Sequence, residues 1–139
     1  MAIDGLDDAA IRDILTTTRR IALVGASARE DRPSNRVLAF LLGRGFAVTP
    51  INPGLAGQSL HGAAVVAELA QAAPLDMVDL FRAADQVGPA VTEAIRLGAR
   101  TIWMQLGVVN EAAAAEARAA GLRVVMDRCP AIEMPRLGL

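Results

Sequence analysis

Patterns typical of strands and helices alternate along the chain, with short links between them. The predicted strands are "RRIALVG", "FAVTPIN", a short stretch near residues 63–66, "LDMVDLF", "ARTIWMQLG" and "LRVVMD". Helical patterns separate most of them, and alternation of this kind is typical of parallel βαβ units with right-handed crossovers. We therefore expect an α/β fold, a doubly wound parallel sheet in three αβα layers, built as a single domain.

The predicted helices occupy the segments between these strands. Asp4 or Asp7 would cap a helix over "DDAAIRDILTT". Pro33 fits the first turn of the next helix, which would end at Gly43 or Gly45. The other predicted helices are "AELAQAA", ended by Pro74, "AADQVGPAVTEAIRLG" and "NEAAAAEARAAG", while the closing "RCPAIEMPRLGL" is assigned no element. The expected domain spans residues 1–139, with residues 1–19 as a helical segment packed on it.

The composition excludes several kinds of chemistry. All fourteen basic residues are arginine, so neither a lysine Schiff base nor the lysine of a P-loop NTPase is available. One histidine and one cysteine cannot build a multi-histidine or cysteine-rich metal site, and we predict no metal. The net charge of −1, without a basic block, indicates no nucleic-acid partner. The absence of a leader pattern or a long apolar span predicts no membrane association, and a single cysteine is typical of the reducing cytoplasm.

The segment after the first predicted strand, "VGASAREDRPSN", has the features of a phosphate-binding loop. Ligands of doubly wound sheets bind beyond the carboxyl ends of the strands. Gly25 permits a tight turn, Ala26 and Ser27 leave their N–H groups accessible, and a helix that starts near Ser34 would favour an anion. Ser27 and Ser34 add hydroxyl groups, and the cations nearby are Arg29, Arg32 and Arg36. The alternative is a plain strand-to-helix turn with solvated arginines.

The dinucleotide fingerprint is incomplete in this loop. NAD binding calls for G-x-G-x-x-G and for an acidic residue after the second strand, which holds the ribose. This loop has one glycine, and Asn52 stands where the acid is expected. A different diphosphate ligand fits better.

Five sequence fragments then resemble one family. "IALVGAS", "VTPINP" and "GQSLHG" resemble the CoA-binding domain of the succinyl-CoA synthetase alpha subunit and of ADP-forming acyl-CoA synthetases. With "VDLFR" and "EAIRLGARTIWMQLGVVNEAAAAEARAAGLRVVMDRCPAIE", the chain from Arg20 to Leu139 more closely resembles the small stand-alone CoA-binding proteins of bacteria and archaea. The resemblance implies a Rossmann-like sheet with a strand order similar to 3-2-1-4-5 plus an extra strand.

The resemblance also implies a ligand, coenzyme A or an acyl-CoA, and a set of residues around it. The diphosphate would lie over the loop after the first strand and the following helix start. The nucleotide end would lie between the residues after the second strand, and the pantetheine arm would run past the fourth and fifth predicted strands. The residues implied are Gly25, Ala26, Ser27, Arg29, Ser34, Asn35, Asn52, Pro53, Phe81, Arg82, Gln105 and Gly107.

The chain also departs from the synthetases. Leu55 stands where the alpha subunit has a lysine after its "NPG", and the first loop holds fewer glycines. The domain with the phosphohistidine and any segment of ATP-grasp size are missing, which excludes a complete acyl-CoA ligase. Arg29, Arg32 or Arg36 would have to replace the phosphate contact of the missing lysine.

Four other residues are candidates for function or for the core. His61 is interpreted as a loop or packing residue, and Trp103 as a core or subunit contact. Asp79 is predicted to be a buried, hydrogen-bonded carboxylate. Cys129, beside Arg128 at the last strand end, is either a small packed residue or a thiol able to pair with that of CoA.

None of these residues forms a catalytic set. We therefore predict a CoA-binding module without evident catalysis: a carrier, a sensor, or a module that presents its ligand to a partner. A second copy of the chain and an acyl-CoA enzyme are the partners that remain open. The alternatives are a small NAD(P)-binding protein or reductase, a subunit of a split acyl-CoA ligase, and a thiol-exchange enzyme built on Cys129.

Overall fold

A five-stranded, fully parallel sheet forms the centre of the computed structural model, which describes residues 2–139. In chain order the strands are β1 Arg20–Val24, β2 Ala47–Ile51, β3 Ser59–Leu60, β4 Ala63–Ala64, β5 Met77–Leu80, β6 Thr101–Met104 and β7 Arg123–Val125. The sheet has the order β2-β1-β5-β6-β7, and β3 and β4 form a separate antiparallel pair. The order reverses beside β1, which is where ligands of such sheets bind.

Helices cover both faces of the sheet. They are α1 Asp8–Thr17, α2 Pro33–Gly43, α3 Gly88–Arg96, α4 Glu111–Ala119 and α5 Pro130–Arg136. One core cluster packs α3 and α4 on one face, and a second packs α1, α2 and α5 on the other, because successive strand side chains point to opposite faces. The three αβα layers confirm the predicted α/β fold.

The segment near residues 63–66 differs from its prediction as a regular strand. His61 and Gly62 both have positive φ, at 50° and 84°, and they turn the chain into the β3–β4 hairpin. Only Val66 reaches the sheet, through a parallel bridge to Ile51. In the expected order 3-2-1-4-5, strand 3 is the predicted strand near residues 63–66. In the structure this outermost strand is reduced to one bridge beside β2.

Two predicted helices and the unassigned C-terminal segment also need correction, and in each of them a proline sets where a helix begins or ends. "AELAQAA" forms only a 3₁₀ turn, Leu69–Ala72, because Pro74 keeps Ala73 extended. "AADQVGPAVTEAIRLG" divides into a 3₁₀ turn, Ala84–Gln86, and α3, with Pro89 in the first turn of α3. The unassigned C-terminal segment contains α5, which starts at Pro130.

The N-terminal segment is attached to the far edge of the sheet. Asp7, not Asp4, caps α1, and its Oδ1 accepts from the N–H of Ala10 at 2.8 Å. Asp4 is buried and accepts from the Arg128 guanidinium at 2.8 and 3.0 Å. The other side of Arg128 donates to Glu133 at 2.9 Å. The start of the described chain is thus held against the segment that follows β7.

Two buried side chains occupy neighbouring strands on the face covered by α1, α2 and α5. Trp103 is fully buried, as expected for a core residue, and its Nε1 donates to the Arg128 carbonyl at 2.8 Å. Asp79 lies beside it in register and is also fully buried. The predicted hydrogen bonds of Asp79 are wrong, because neither carboxylate oxygen has a partner among residues 2–139. Burial raises the pKa of Asp79 well above its usual range.

Candidate functional site

A cleft of about 520 Å³ lies at the carboxyl end of the sheet. Segments that follow all five strands of the sheet contribute to it, as expected for a doubly wound fold. The lining residues are Gly25, Ala26, Ser27, Arg29, Arg32, Pro33, Ser34, Asn52, Phe81, Arg82, Gln105, Leu106, Val108 and Cys129.

The loop after β1 is packed closely between its neighbours. Gly25 has a φ of +90°, and a Cβ added there would lie 2.5 Å from the carbonyl oxygen of Phe81. Only glycine fits this position, since its backbone combines a left-handed conformation with direct contact to another strand end. On the other side, the N–H groups of Gly25 and Ala26 both donate to the Ile51 carbonyl at 3.2 Å. The prediction that the Ala26 N–H is accessible is therefore wrong, because the loop packs against the end of β2.

Asn52 ties the loop after β2 to the loop after β1. Its Nδ2 donates to the carbonyl oxygen of Ala26 at 2.7 Å, and its Oδ1 accepts from the N–H of Gly54 at 2.8 Å. The residue that replaces the expected acid is thus engaged in holding two loops together.

A second amide supports the loop from behind. Asn35, in the first turn of α2, is buried and donates to the carbonyl oxygen of Ser27 at 2.9 Å. Its Oδ1 lies 2.8 Å from Nε2 of His61, on the β3–β4 turn. His61 therefore contacts a residue that supports the loop. Its interpretation as a loop or packing residue does not predict this polar contact.

The start of α2 forms part of the cleft wall. Arg32 precedes the helix without a side-chain cap, Pro33 begins it, and Ser34 is buried at the cleft wall. Within residues 2–139, the N–H groups of Ser27 and Ser34 have no hydrogen-bond acceptor. Unpaired N–H groups at the start of an eleven-residue helix favour an anion.

The charged residues of the lining are all positive. Arg29, Arg32 and Arg82 line the cleft, and no aspartate or glutamate of the described chain does. Arg29 pairs with Asp31 at 2.8 Å, and both side chains are largely exposed. Arg36, on the next turn of α2, is exposed but does not line the cleft. The chain has a net charge of −1, so the positive lining is a local feature.

The other end of the cleft lies beyond β6 and β7. Gln105 is 5% exposed, and its Oε1 is buried without a hydrogen-bond partner among residues 2–139. The N–H of Arg128 donates to the Met104 carbonyl at 3.4 Å. Gln105 is the residue after Met104 and Cys129 is the residue after Arg128, so this hydrogen bond brings the two close together. Leu106 and Val108 add apolar surface nearby. This end therefore combines an unpaired amide, a thiol and apolar side chains.

Nine of the twelve residues predicted for the site line this cleft. Asn35 lies behind the first loop, Pro53 is exposed in the 3₁₀ turn Pro53–Leu55, and the N–H of Gly107 donates to Asp127 at 2.8 Å. A ligand contact of any of the twelve remains a prediction.

The prediction omitted five lining residues. Leu106 and Val108 lie within three residues of the strand-end residue Gln105, so their position at a strand end is the signal in the sequence that indicates them. Arg32 and Cys129 are candidates by sequence but do not belong to the predicted set of twelve. Pro33 is predicted from the sequence only as a helix start.

The described part of the chain offers neither a metal-binding cluster nor a membrane-spanning helix. Residues 2–139 contain no group of three or more histidine, cysteine, aspartate or glutamate side chains that could hold a metal ion. No helix in the same range is long and apolar enough to span a membrane.

A parallel αβα sheet with an arginine-lined cleft at its carboxyl end defines a Rossmann-like ligand-binding domain. Residues 19–135 match the sequence profile of the CoA binding domain family. The chain therefore belongs to that family, as its sequence fragments predict.

The chain is also similar to individual proteins. The chain is 34% identical over 122 residues to the uncharacterized protein YneT of Bacillus subtilis, covering 87% of this chain and 89% of that protein. A hypothetical protein from Pyrococcus horikoshii has a solved structure that is 36% identical, with a TM-score of 0.93 and coverage of 100% and 97%. A dinucleotide-forming acetyl-coenzyme A synthetase from Ca. Korarchaeum cryptofilum, at 23% identity and a TM-score of 0.63, shares the fold over 75% of this chain and 25% of its own.

Proposed function

We propose that the cleft binds coenzyme A or an acyl-CoA. The observation that carries this proposal is the charge of the cleft: three arginines line it, and no carboxylate among residues 2–139 does. Ser27 and Ser34 also line it, and their N–H groups have no acceptor within the same residues. CoA carries a diphosphate and a ribose phosphate, which arginine forks and helix N-termini bind well. Membership of the CoA binding domain family supports the same ligand.

The shape of the first loop also fits a phosphate group. Gly25 brings the backbone against Phe81, and Asn35 and Asn52 donate to the carbonyl oxygens of Ser27 and Ala26. The N–H groups of Gly25 and Ala26 are bonded to Ile51, so the Ser27 N–H is the loop donor that we assign to the phosphate. Repulsion between carbonyl oxygens and phosphate oxygens is reduced in the same arrangement.

The far end of the cleft fits the pantetheine arm. That arm contains two amides joined by methylene groups, so its binding site needs both hydrogen-bonding and apolar partners. The buried Oε1 of Gln105, which has no partner within residues 2–139, supplies the first, and Leu106 and Val108 supply the second. A buried polar group without a partner costs free energy, about 1–3 kcal/mol, which a ligand amide would offset.

A nicotinamide dinucleotide fits less well. The residue after β2 is Asn52, and both ends of its amide already bond to the protein. Neither a carboxylate nor a free amide is therefore available there for an adenosine ribose. We assign the cleft to CoA ahead of NAD(P).

The proposed role is binding, with release to another protein. The titratable lining residues are arginines and one cysteine, which do not form an acid–base pair. An acyl-CoA enzyme is the partner we propose, and the fold shared with one quarter of an acetyl-coenzyme A synthetase supports it. The single cysteine fits a reducing compartment, so we place this role in the cytoplasm.

Isothermal titration of the reduced protein tests the ligand. CoA, acetyl-CoA, dephospho-CoA, NAD, NADP and ATP are titrated separately. We expect a Kd for CoA in the micromolar range, and weaker binding of dephospho-CoA because one phosphate is missing. Heat from NAD or NADP with none from CoA would replace this proposal with the reductase alternative.

A bulky residue in the first loop tests the location. Ser27→Trp places an indole where the phosphate is proposed to lie, and we expect CoA binding to be lost. Ser59→Trp is the matched control, because Ser59 is exposed on β3 and does not line the cleft. Circular dichroism checks that both variants keep the wild-type fold. If the folded Ser27→Trp and Ser59→Trp variants then bound CoA equally well, the loop would be excluded as the binding site.

A further inference from the structure

The only cysteine of the chain lies in the same cleft as the arginines, at the opposite end. Cys129 is 8% exposed and is one of the residues that line the cleft. It follows β7, whereas Arg29 and Arg32 follow β1, and β5 and β6 lie between those strands. A thiol and a phosphate-binding loop thus occupy the two ends of one groove.

A second observation at this end indicates a ligand independently of the cysteine. Gln105 is 5% exposed and lines the cleft, and its buried Oε1 has no hydrogen-bond partner within residues 2–139. Gln105 and Cys129 are neighbours across β6 and β7, because the Arg128 N–H bonds to the Met104 carbonyl. A group that pairs with this amide would therefore lie beside the thiol.

The separation of the two ends fits the length of a pantetheine arm. Neighbouring strands lie about 4.8 Å apart, so the three intervals from β1 to β7 span about 14 Å. The arm from the diphosphate to the sulfur has about a dozen bonds, and an extended chain advances roughly 1.2 Å per bond, which again gives about 14 Å. A CoA whose phosphates lie at the β1 loop would bring its sulfur to the end of the cleft that holds Cys129.

We propose that Cys129 captures CoA as a mixed disulfide by thiol–disulfide exchange with a CoA disulfide. This inference rests on the proposed CoA binding and adds a covalent step. The Cys129 thiol loses its proton to solvent, and its sulfur attacks one sulfur of CoA–S–S–R. The bond from Cys129 to the CoA sulfur forms, the S–S bond breaks, and R–S⁻ leaves and takes up a proton. Cys129 is oxidised while the departing sulfur is reduced, so no further oxidant is needed.

The neighbouring Arg128 has a positioning role in this arrangement. Its guanidinium is held by Asp4 and Glu133, at 2.8 and 2.9 Å, and it does not line the cleft. Arg128 fixes the backbone just before Cys129, which holds the thiol at the end of the groove. Binding of the phosphates then raises the local concentration of the disulfide at that thiol.

Intact-mass spectrometry of the full chain tests the proposal. Reduced protein is incubated with CoA disulfide or, at the same concentration, with glutathione disulfide. We expect one adduct per chain, with the mass of one CoA minus the hydrogens lost from the joined thiols. It should form at least about tenfold faster than the glutathione adduct, because only CoA is held by the first loop. Dithiothreitol should reverse it, and Cys129→Ser should give no adduct.

The Ser27→Trp variant separates selective capture from simple thiol reactivity. It keeps Cys129 but obstructs the phosphate loop, so the rate with CoA disulfide should fall to the rate with glutathione disulfide. Equal rates for both disulfides in the wild type would overturn the proposal. The proposal would also be overturned if the wild-type protein bound reduced CoA in the titration but formed no adduct. Failure of that titration would instead overturn the proposed function.

Discussion

The carbonyl oxygen of Phe81 occupies the space that a side chain on Gly25 would need. An ideal Cβ on Gly25 would lie 2.5 Å from this oxygen, and the φ of +90° is unfavourable for other residues. The end of β5 therefore sets which residue can turn the chain after β1. The contact between Gly25 and Phe81 therefore matters twice. It allows close backbone packing at the centre of the sheet, and it sets the shape of the proposed phosphate loop.

Replacement of Gly25 by alanine should therefore lower both stability and CoA affinity. We expect a loss of about 2–4 kcal/mol in the free energy of unfolding, from backbone strain and from overpacking against Phe81. Gly43→Ala is the control, because nothing lies within 4 Å of a Cβ there and the residue is helical. That variant should be neutral or slightly more stable. Urea denaturation of both variants measures the difference, and equal midpoints would refute the contact argument.

Two arginines on one helix should differ in their effect on ligand binding. Arg32 lines the cleft at the start of α2, whereas Arg36 is exposed one turn later and does not. Arg32→Ala should weaken CoA binding about tenfold, since a charged hydrogen-bond donor to phosphate is lost. Arg36→Ala should bind as the wild type does. Titrations at low and high salt should also show a smaller salt dependence for Arg32→Ala, and the same loss in both variants would count against a local contact.

The buried ion pair of Asp4 should contribute more to stability than the exposed pair of Asp8. Asp4 is fully buried at its side chain and binds Arg128, which is 12% exposed. Asp4→Ala leaves the guanidinium without its main partner, and we expect a loss of about 3 kcal/mol in the free energy of unfolding. Asp8→Ala removes an exposed pair with Arg136 and should change stability little. Thermal denaturation of both variants distinguishes them.

The same pair should affect stability at low pH. Burial alone would raise the pKa of Asp4, but hydrogen bonds from Arg128, Leu6 and Met126 outweigh it and lower this pKa below its usual range. Stability from Asp4 is then present above the usual aspartate pKa and is lost as the pH falls through the lowered value. Asp4→Ala should lack this part of the acid denaturation profile.

Asp79 should have the opposite dependence on pH. Its pKa is raised by burial, so the folded protein keeps a proton that the unfolded chain releases. The free energy of unfolding should therefore fall as the pH rises from the usual aspartate pKa toward the raised one, by at most about 1.4 kcal/mol per pH unit. Asp79→Asn cannot titrate and should lack this slope. The two stability curves are compared as the pH rises above about 4, the usual aspartate pKa. Parallel curves for the wild type and Asp79→Asn would contradict the assignment.

The strand ends were the most predictable part of the site. Apolar runs that end at glycine or at a polar residue locate Gly25, Asn52, Phe81 and Gln105, and parallel pairing brings such ends to one edge. The cleft could therefore be outlined from the sequence. Partners of individual side chains could not, because they depend on loop conformation. Asn35 is an example, since its contact with His61 arises only after the β3–β4 turn has formed.

Local propensity also failed where long-range packing or proline decides the structure. Asp4 and Asp7 are both reasonable helix caps by sequence, and only the distant Arg128 explains why Asp4 is used elsewhere. The hydrogen bonds expected for Asp79 rested on the rule that buried carboxylates are paired. That rule has an exception here, where apolar neighbours surround an aspartate in the middle of a strand.

The contribution of all five sheet strands to one cleft couples ligand occupancy to global unfolding. The cleft is lined by segments from residue 25 to residue 129, so unfolding of any strand would remove part of the site of a ligand that fills it. Such a ligand binds only the folded chain, and each tenfold excess over its Kd adds about 1.4 kcal/mol to the free energy of unfolding. The melting temperature of this protein would then vary with the concentration of the free ligand around it.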